Sequence, residues 1–169
     1  MKIISVIGYS GTGKTFFITN AIQLLKKDFN FEIAVIKNIH EHQIDKEDKD
    51  TYRFGEAGVR FSITKNVNNE TTIFLKDKIS VEDLLKWLEL SPYKIELCFL
   101  EGFRNSTYPT VLCVKNRDEI KPQLTKYVKM ISGLISVNFI EGRDKIDIPV
   151  VNLLESFELF LKIFDLIRF

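Results

Sequence analysis

An α/β fold with a mostly parallel sheet is what this sequence predicts, and three observations predict it. Lys2–Ile7 is a β-branched apolar run closed by Gly8, the mark of a buried strand. From Lys14 to Lys27, apolar residues (Phe17, Ile18, Ala21, Ile22, Leu24, Leu25) recur at helical spacing, and Lys26 and Lys27 suit the negative end of that helix. The run FEIAVIK, Phe31 to Lys37, then reads as a second strand. Strand, helix and strand within about 35 residues form a βαβ unit, which implies parallel strands and a right-handed crossover.

Between the first strand and the helix stands GYSGTGKT, which matches G-x-x-x-x-G-K-[ST] at Gly8, Gly13, Lys14 and Thr15. Each residue type has a physical reason. Glycines let the backbone turn tightly so that its N–H groups form a concave nest for phosphate oxygens at a helix N-terminus. Gly11 makes that nest easier to form. Lys14 reaches β and γ phosphates, and the Thr15 hydroxyl is placed to ligate Mg²⁺. The loop follows a strand and opens a helix, which is the context such a motif requires. The expected fold is therefore a P-loop NTPase: three layers, α/β/α, in one nucleotide-binding domain over residues 1–169, with residues Gly8, Tyr9, Ser10, Gly11, Thr12, Gly13, Lys14, Thr15 and Phe16 on the ligand.

Further elements follow in order. Asn38–Asp50 is a long polar stretch, and Thr51–Ala57 a short helix. VRFSITK (Val59–Lys65) and TTIFLK (Thr71–Lys76) flank the polar turn NVNNE and read as an inserted β-hairpin. Ser80 and Asp83 resemble a capping box for a helix to about Leu90, stopped by Ser91-Pro92. Ile95–Leu100, Val111–Lys115 and Met130–Asn138 read as buried strands. Leu153–Phe169, apolar on more than one stripe, reads as a deeply buried terminal helix, with a dimer contact as the sharper alternative.

Composition narrows the function. The chain has 169 residues, 45% hydrophobic and 28% charged, with a formal net charge of +1. That suits a globular domain and gives no whole-protein reason to expect nucleic acid or an anionic membrane. Cys98 and Cys113 sit in apolar runs without a CxxC, so buried reduced thiols and a cytoplasmic location are expected. The first apolar run is broken at once by glycines and a lysine, unlike a signal peptide, and no segment reaches the length of a membrane span.

A phosphate loop needs an acidic partner at the end of a neighbouring strand. IELCFLEGF supplies Glu101 directly before Gly102, at the edge where parallel sheets put their ligands. As a water ligand of Mg²⁺ or a general base it would share catalysis with Lys14. Lys37 closes the strand after the βαβ helix and is a weaker candidate for an anion contact. His40 and His42, on a charged loop, make only a weak metal pattern.

Taken in order, GYSGTGKT, VIK before a histidine-containing loop, KDTYRFGEAG and FLEGFR resemble the molybdopterin-guanine dinucleotide biosynthesis protein B (MobB) family over about the first two thirds of the chain. The resemblance implies a small P-loop protein, usually a homodimer, that binds GTP with Mg²⁺ and hydrolyses it weakly. It implies a partner, the guanylyltransferase MobA, and molybdopterin as the molecule receiving GMP. Glu101 would be the second acidic element and a metal ligand with Thr15. Asp50 and Thr51 would form a switch-like segment near Mg²⁺, and Arg53 and His40 would touch phosphate or cofactor. This chain departs from the family pattern at Asn38, where a histidine is usual, at Thr51 in place of serine, and at Arg104 in place of lysine. It carries no N-K-x-D guanine signature, and Asn138 is a faint substitute.

Two other readings share the loop. A small-molecule kinase would need an arginine-bearing lid, and Arg117, Arg143 and Arg168 are scattered singly. A metallochaperone-type NTPase would need a metal cluster that His40 and His42 do not supply.

Overall fold

The structure is a computed structural model that describes residues 1–40, 42–137 and 147–167. These form two compact units, one drawn from Met1–Asn38 and Leu88–Phe169, the other from Ile39–Trp87. The single domain expected over residues 1–169 thus meets a chain with a second unit interposed in sequence.

In the first unit, five strands form an all-parallel sheet. They are β1 (Lys2–Ile7), β2 (Ile33–Lys37), β5 (Leu97–Glu101), β6 (Thr110–Cys113) and β7 (Val128–Ser132), in the order β2-β5-β1-β6-β7. Helix α1 (Lys14–Phe29) connects β1 to β2, and α4 (Phe157–Ile163) comes near the chain's end. The sheet is flanked by helices as the expected α/β P-loop fold requires. On one face Ile4, Val6, Leu97, Phe99, Val111 and Met130 pack against Phe17, Ile18, Ala21 and Leu25 of α1 and Phe160 and Leu161 of α4. The Phe17 and Phe160 rings meet edge to face, 5.7 Å between centroids. On the other face Ile7, Leu112, Val114, Val128 and Ile131 pack with Ile120, which lies between two 3₁₀ turns.

β1 and β5 are buried on both faces because each has a strand on either side and apolar layers above and below, which is why their sequences run apolar without alternation. Helix α1 ends where Asn30 turns left-handed (φ +53°) and its N–H closes on the Lys26 carbonyl.

The second unit holds α2 (Asp50–Glu56) and the antiparallel hairpin β3 (Phe61–Lys65) and β4 (Thr71–Leu75), paired in register from Phe61 opposite Leu75 to Lys65 opposite Thr71. Helix α3 (Val81–Leu90) begins there, capped as expected: the Asp83 N–H donates to the Ser80 hydroxyl, which in turn donates to the Asp83 carboxylate.

Two expectations are corrected. The strand expected over Met130–Asn138 ends at Ser132, because Gly133 turns to φ +86° and Leu134–Val137 is a 3₁₀ turn; Asn138 itself lies outside the described residues. The terminal helix covers only Phe157–Ile163 of the expected Leu153–Phe169. Asn152 turns the chain before it, accepting from the Glu155 and Ser156 N–H groups. Its Phe160 and Leu161 are buried, in keeping with the buried reading. No helix among the described residues is long and apolar enough to cross a membrane.

Candidate functional site

Parallel strands end at one edge of the sheet, and the chemistry-bearing residues of the first unit collect there. Gly8 follows β1, Lys37 closes β2, Glu101 closes β5, and Val114-Lys115 and Gly133 follow β6 and β7. The register sets Lys37 beside Glu101 and Glu101 beside Val6, so the two charged residues reach the edge together with the start of the glycine loop.

The loop has the backbone its glycines were chosen for. Gly8, Gly11 and Gly13 all have positive φ, at +146°, +71° and +93°. At Gly8 a side chain would also collide, since a Cβ there would lie 2.1 Å from the Cys113 carbonyl oxygen. Thr12 is fully buried, and its hydroxyl donates to the Tyr9 carbonyl at 3.0 Å, closing the loop on itself. Gly13 is the N-cap of α1, so the loop delivers the chain into the helix end where partial positive charge gathers.

Lys14 lies across this loop. Its ammonium donates to the carbonyls of Tyr9 (2.7 Å) and Gly8 (3.1 Å). Burial lowers its pKa, opposed chiefly by the Glu101 carboxylate, which favours the charged form. An anion bound in the loop would add a second opposite charge to a cation that burial has made less comfortable.

Thr15 and Glu101, far apart in sequence, are joined by a 2.8 Å hydrogen bond from the threonine hydroxyl to Oε1. The same carboxylate oxygen faces the Lys37 ammonium at 3.2 Å. Glu101 is only 5% exposed, so it is a buried carboxylate held between a hydroxyl and an ammonium. Hydroxyl and carboxylate oxygens side by side suit Mg²⁺, which takes few protein ligands and completes its shell with phosphate and water oxygens. Among the described residues no three His, Cys, Asp or Glu side chains gather as a metal cluster.

The rim is cationic. The Arg104 guanidinium stacks over the Tyr9 ring, 5.1 Å from its centroid. The Lys115 ammonium lies against Gly11, 3.4 Å from where a Cβ would be. Ser10 is exposed, and Phe16 is 64% exposed just past the loop.

The structure therefore gathers Gly8 to Phe16, Lys37 and Glu101 at one edge. His40, Asp50 and Arg53 belong to the second unit. There His40 is exposed, and Asp50 opens α2 with its carboxylate 3.7 Å from Arg53. Thr51 is buried and donates to Asp45 at 2.7 Å. Three residues escaped the sequence pattern: Lys115 on the rim, and Gly133 and Leu134, which pack behind the loop, the Leu134 N–H donating to the Thr12 carbonyl at 3.2 Å. For the last two, the glycine inside an apolar run was the available signal.

Similarity to known proteins identifies the family and the fold. The family model described as molybdopterin guanine dinucleotide synthesis protein B, MobB, matches residues 3–142. The chain belongs to the MobB family. A Methanocaldococcus jannaschii protein carrying the provisional name molybdopterin-guanine dinucleotide biosynthesis adapter protein is 34% identical over 123 residues, 70% of this chain and 49% of its own length. The chain thus spans about half of that relative. The Haemophilus influenzae molybdopterin-guanine dinucleotide biosynthesis adapter protein is 29% identical over 138 residues, 78% of this chain and 74% of its own. The crystal structure of Bacillus subtilis MobB superposes with a TM-score of 0.74 at 18% identity, covering 97% of this chain and 98% of the other. A MobB homologue from Bacillus stearothermophilus gives 0.68 at 16%, covering 96% and 98%. At those identities the structures speak for the fold, which MobB proteins share with this chain.

Proposed function

We propose that this MobB-family chain is a GTP-binding accessory protein of molybdenum cofactor biosynthesis, assisting a MobA-type guanylyltransferase that attaches GMP to molybdopterin. The observation that carries the reading is the joining of the loop to Glu101 through Thr15, at the sheet edge where Lys14 lies across the loop. In this reading the backbone N–H groups of Gly8 to Lys14 hold the phosphates, and Lys14 leaves the Gly8 and Tyr9 carbonyls for phosphate oxygens. Thr15 and Glu101 hold Mg²⁺, which when bound supplies charge neutralisation between the phosphates. Lys37 pairs with the Glu101 carboxylate oxygen that also accepts from Thr15, and Arg104 and Lys115 draw the polyphosphate in.

Hydrolysis, in this reading, is slow. The candidates for orienting water are few: Glu101 is already engaged by two partners, and Asp50 and Arg53 enter only by family resemblance. The nucleotide then serves as a ligand whose presence a partner reads. A cytoplasmic homodimer, with His40, Asp50 and Arg53 acting on the cofactor or Mg²⁺, completes the proposal.

The test is titration of the purified protein with GTP and with ATP in Mg²⁺, together with single-turnover hydrolysis and binding to the guanylyltransferase. A preference for GTP, slow turnover and a complex with the enzyme are expected. Equal use of ATP with rapid phosphoryl transfer to a small acceptor would replace this reading with that of a kinase.

A further inference from the structure

The back of the phosphate loop is held by a piece of backbone that carries no functional side chain. After β7 the chain turns at Gly133 (φ +86°), and the Leu134 N–H donates to the Thr12 carbonyl. The turn is stitched to β6 as well: Val114 N–H donates to the Ser132 carbonyl and Ile135 N–H to the Val114 carbonyl, both at 3.0 Å. The fit is tight. A Cβ on Gly133 would stand 2.4 Å from the Thr12 carbonyl oxygen, 3.0 Å from the Val114 nitrogen and 3.1 Å from the Cys113 Cβ. Gly13 lies against the same turn, where a Cβ would be 3.5 Å from the Gly133 Cα.

These contacts bear on the loop's donors. In a trans peptide the carbonyl oxygen and the following N–H point in opposite directions. Holding the Thr12 carbonyl against Leu134 therefore turns the Gly13 N–H away from β7. It also leaves a buried carbonyl satisfied that would otherwise have to rotate toward another donor. We infer that the Gly133-Leu134 turn is a positioning element of the phosphate loop, fixing the direction of the Gly13 N–H through the Thr12 peptide. The inference rests on the phosphate-binding reading above. It assigns to the end of β7 a part in phosphate affinity that is independent of any base-reading side chain.

The direct test compares Leu134→Pro with Leu134→Ala. Leu134 opens a 3₁₀ turn and is half exposed, so proline's fixed φ suits the position while its missing N–H removes the bond to Thr12. Affinity is read by titrating a fluorescent GTP analogue and, separately, inorganic triphosphate, with far-UV circular dichroism and melting temperature as controls. Leu134→Pro is expected to weaken both ligands about tenfold or more, since the Gly13 N–H loses its fixed direction, with a native circular dichroism spectrum and a melting temperature lowered by only a few degrees for the unpartnered Thr12 carbonyl. Leu134→Ala keeps the N–H and should bind as the parent does. Gly133→Ala, which pushes on the Thr12 carbonyl, should weaken binding like the proline.

Parent affinity in Leu134→Pro, or an equal loss in Leu134→Ala, overturns the inference. Should the proline variant fail to fold, amide exchange of the unmodified protein decides: the Leu134 amide is expected to gain protection on ligand binding together with that of Gly13, and an unchanged Leu134 amide overturns it. Absence of nucleotide and triphosphate binding by the unmodified protein would instead overturn the phosphate reading itself.

Discussion

The two units of this chain spend their polar residues differently. In the first, charged and hydroxyl groups converge on one sheet edge, where Lys14, Thr15, Lys37 and Glu101 contact one another or the loop backbone over an apolar core. In the second, polar contacts hold local structure: Thr51 ties α2 to Asp45, and Lys76 faces both Asp45 and the Tyr52 ring. Meanwhile Phe61, Ile63 and Ile73 of the hairpin stay exposed. A buried carboxylate in each unit makes the contrast concrete. Glu101 is presented at the edge of the glycine loop, whereas Asp45 accepts from a helix residue six positions on and braces its own segment. Burial and partners alone do not mark a binding site; convergence on a backbone built for a ligand does.

The contrast can be broken by substitution. The largest effect is expected at the loop. Gly8→Ala combines a left-handed backbone with a collision against the Cys113 carbonyl, and should cost about 3 kcal/mol or more of stability. Urea unfolding followed by circular dichroism measures it, and a near-neutral result would mean that the loop lacks the described conformation.

Next come the thiols of the first unit. Burial pushes Cys113 up to about 12 and Cys98 up to about 11. Unfolded thiols ionise near 8.5. Between that value and their folded values the unfolded chain binds fewer protons, so these groups make stability fall as pH rises, by up to about 1.4 kcal/mol per pH unit for each thiol. Urea midpoints at rising alkaline pH check this, and the fall should be shallower in Cys113→Ala.

In the second unit, Thr51→Val leaves Asp45 without its hydroxyl donor and should cost about 1–3 kcal/mol. Trp87, the chain's single tryptophan, stacks on Phe61 in the same unit and reports that loss by fluorescence. The smallest effect belongs to Lys37→Met. The Lys37 ammonium is half exposed but Glu101 is buried, so its loss leaves the carboxylate to the Thr15 hydroxyl alone and should cost about 1 kcal/mol. If the edge is a site rather than a brace, the Mg²⁺ dependence of nucleotide binding changes nonetheless.

What was legible in the sequence follows from where the physics is local. GYSGTGKT could be read because positive φ at Gly8, Gly11 and Gly13 restricts the residue type, and because a lysine and a hydroxyl follow at fixed offsets. Glu101 could be read because an acid seldom ends a fully buried strand without a partner. The Ser80–Asp83 cap was local as well. Gly133 and Leu134 were hidden because their contribution is made by backbone groups that every sequence carries, within an apolar run that looked like one strand. The short α4 was overextended because residues apolar on all sides have no period to mark an end. His40, Asp50 and Arg53 came from family resemblance alone, since nothing in their local pattern specifies a ligand.

Most directly, calorimetric titration of GTP with Mg²⁺ into the unmodified protein and into Lys14→Ala tests whether the glycine loop holds a nucleotide. Lys14 is mostly tied to loop carbonyls, so its loss should spare the circular dichroism spectrum while lowering affinity about a hundredfold or more, equivalent to about 2.7 kcal/mol. A folded Lys14→Ala protein that binds GTP as tightly as its parent would contradict the assignment of this loop to phosphate.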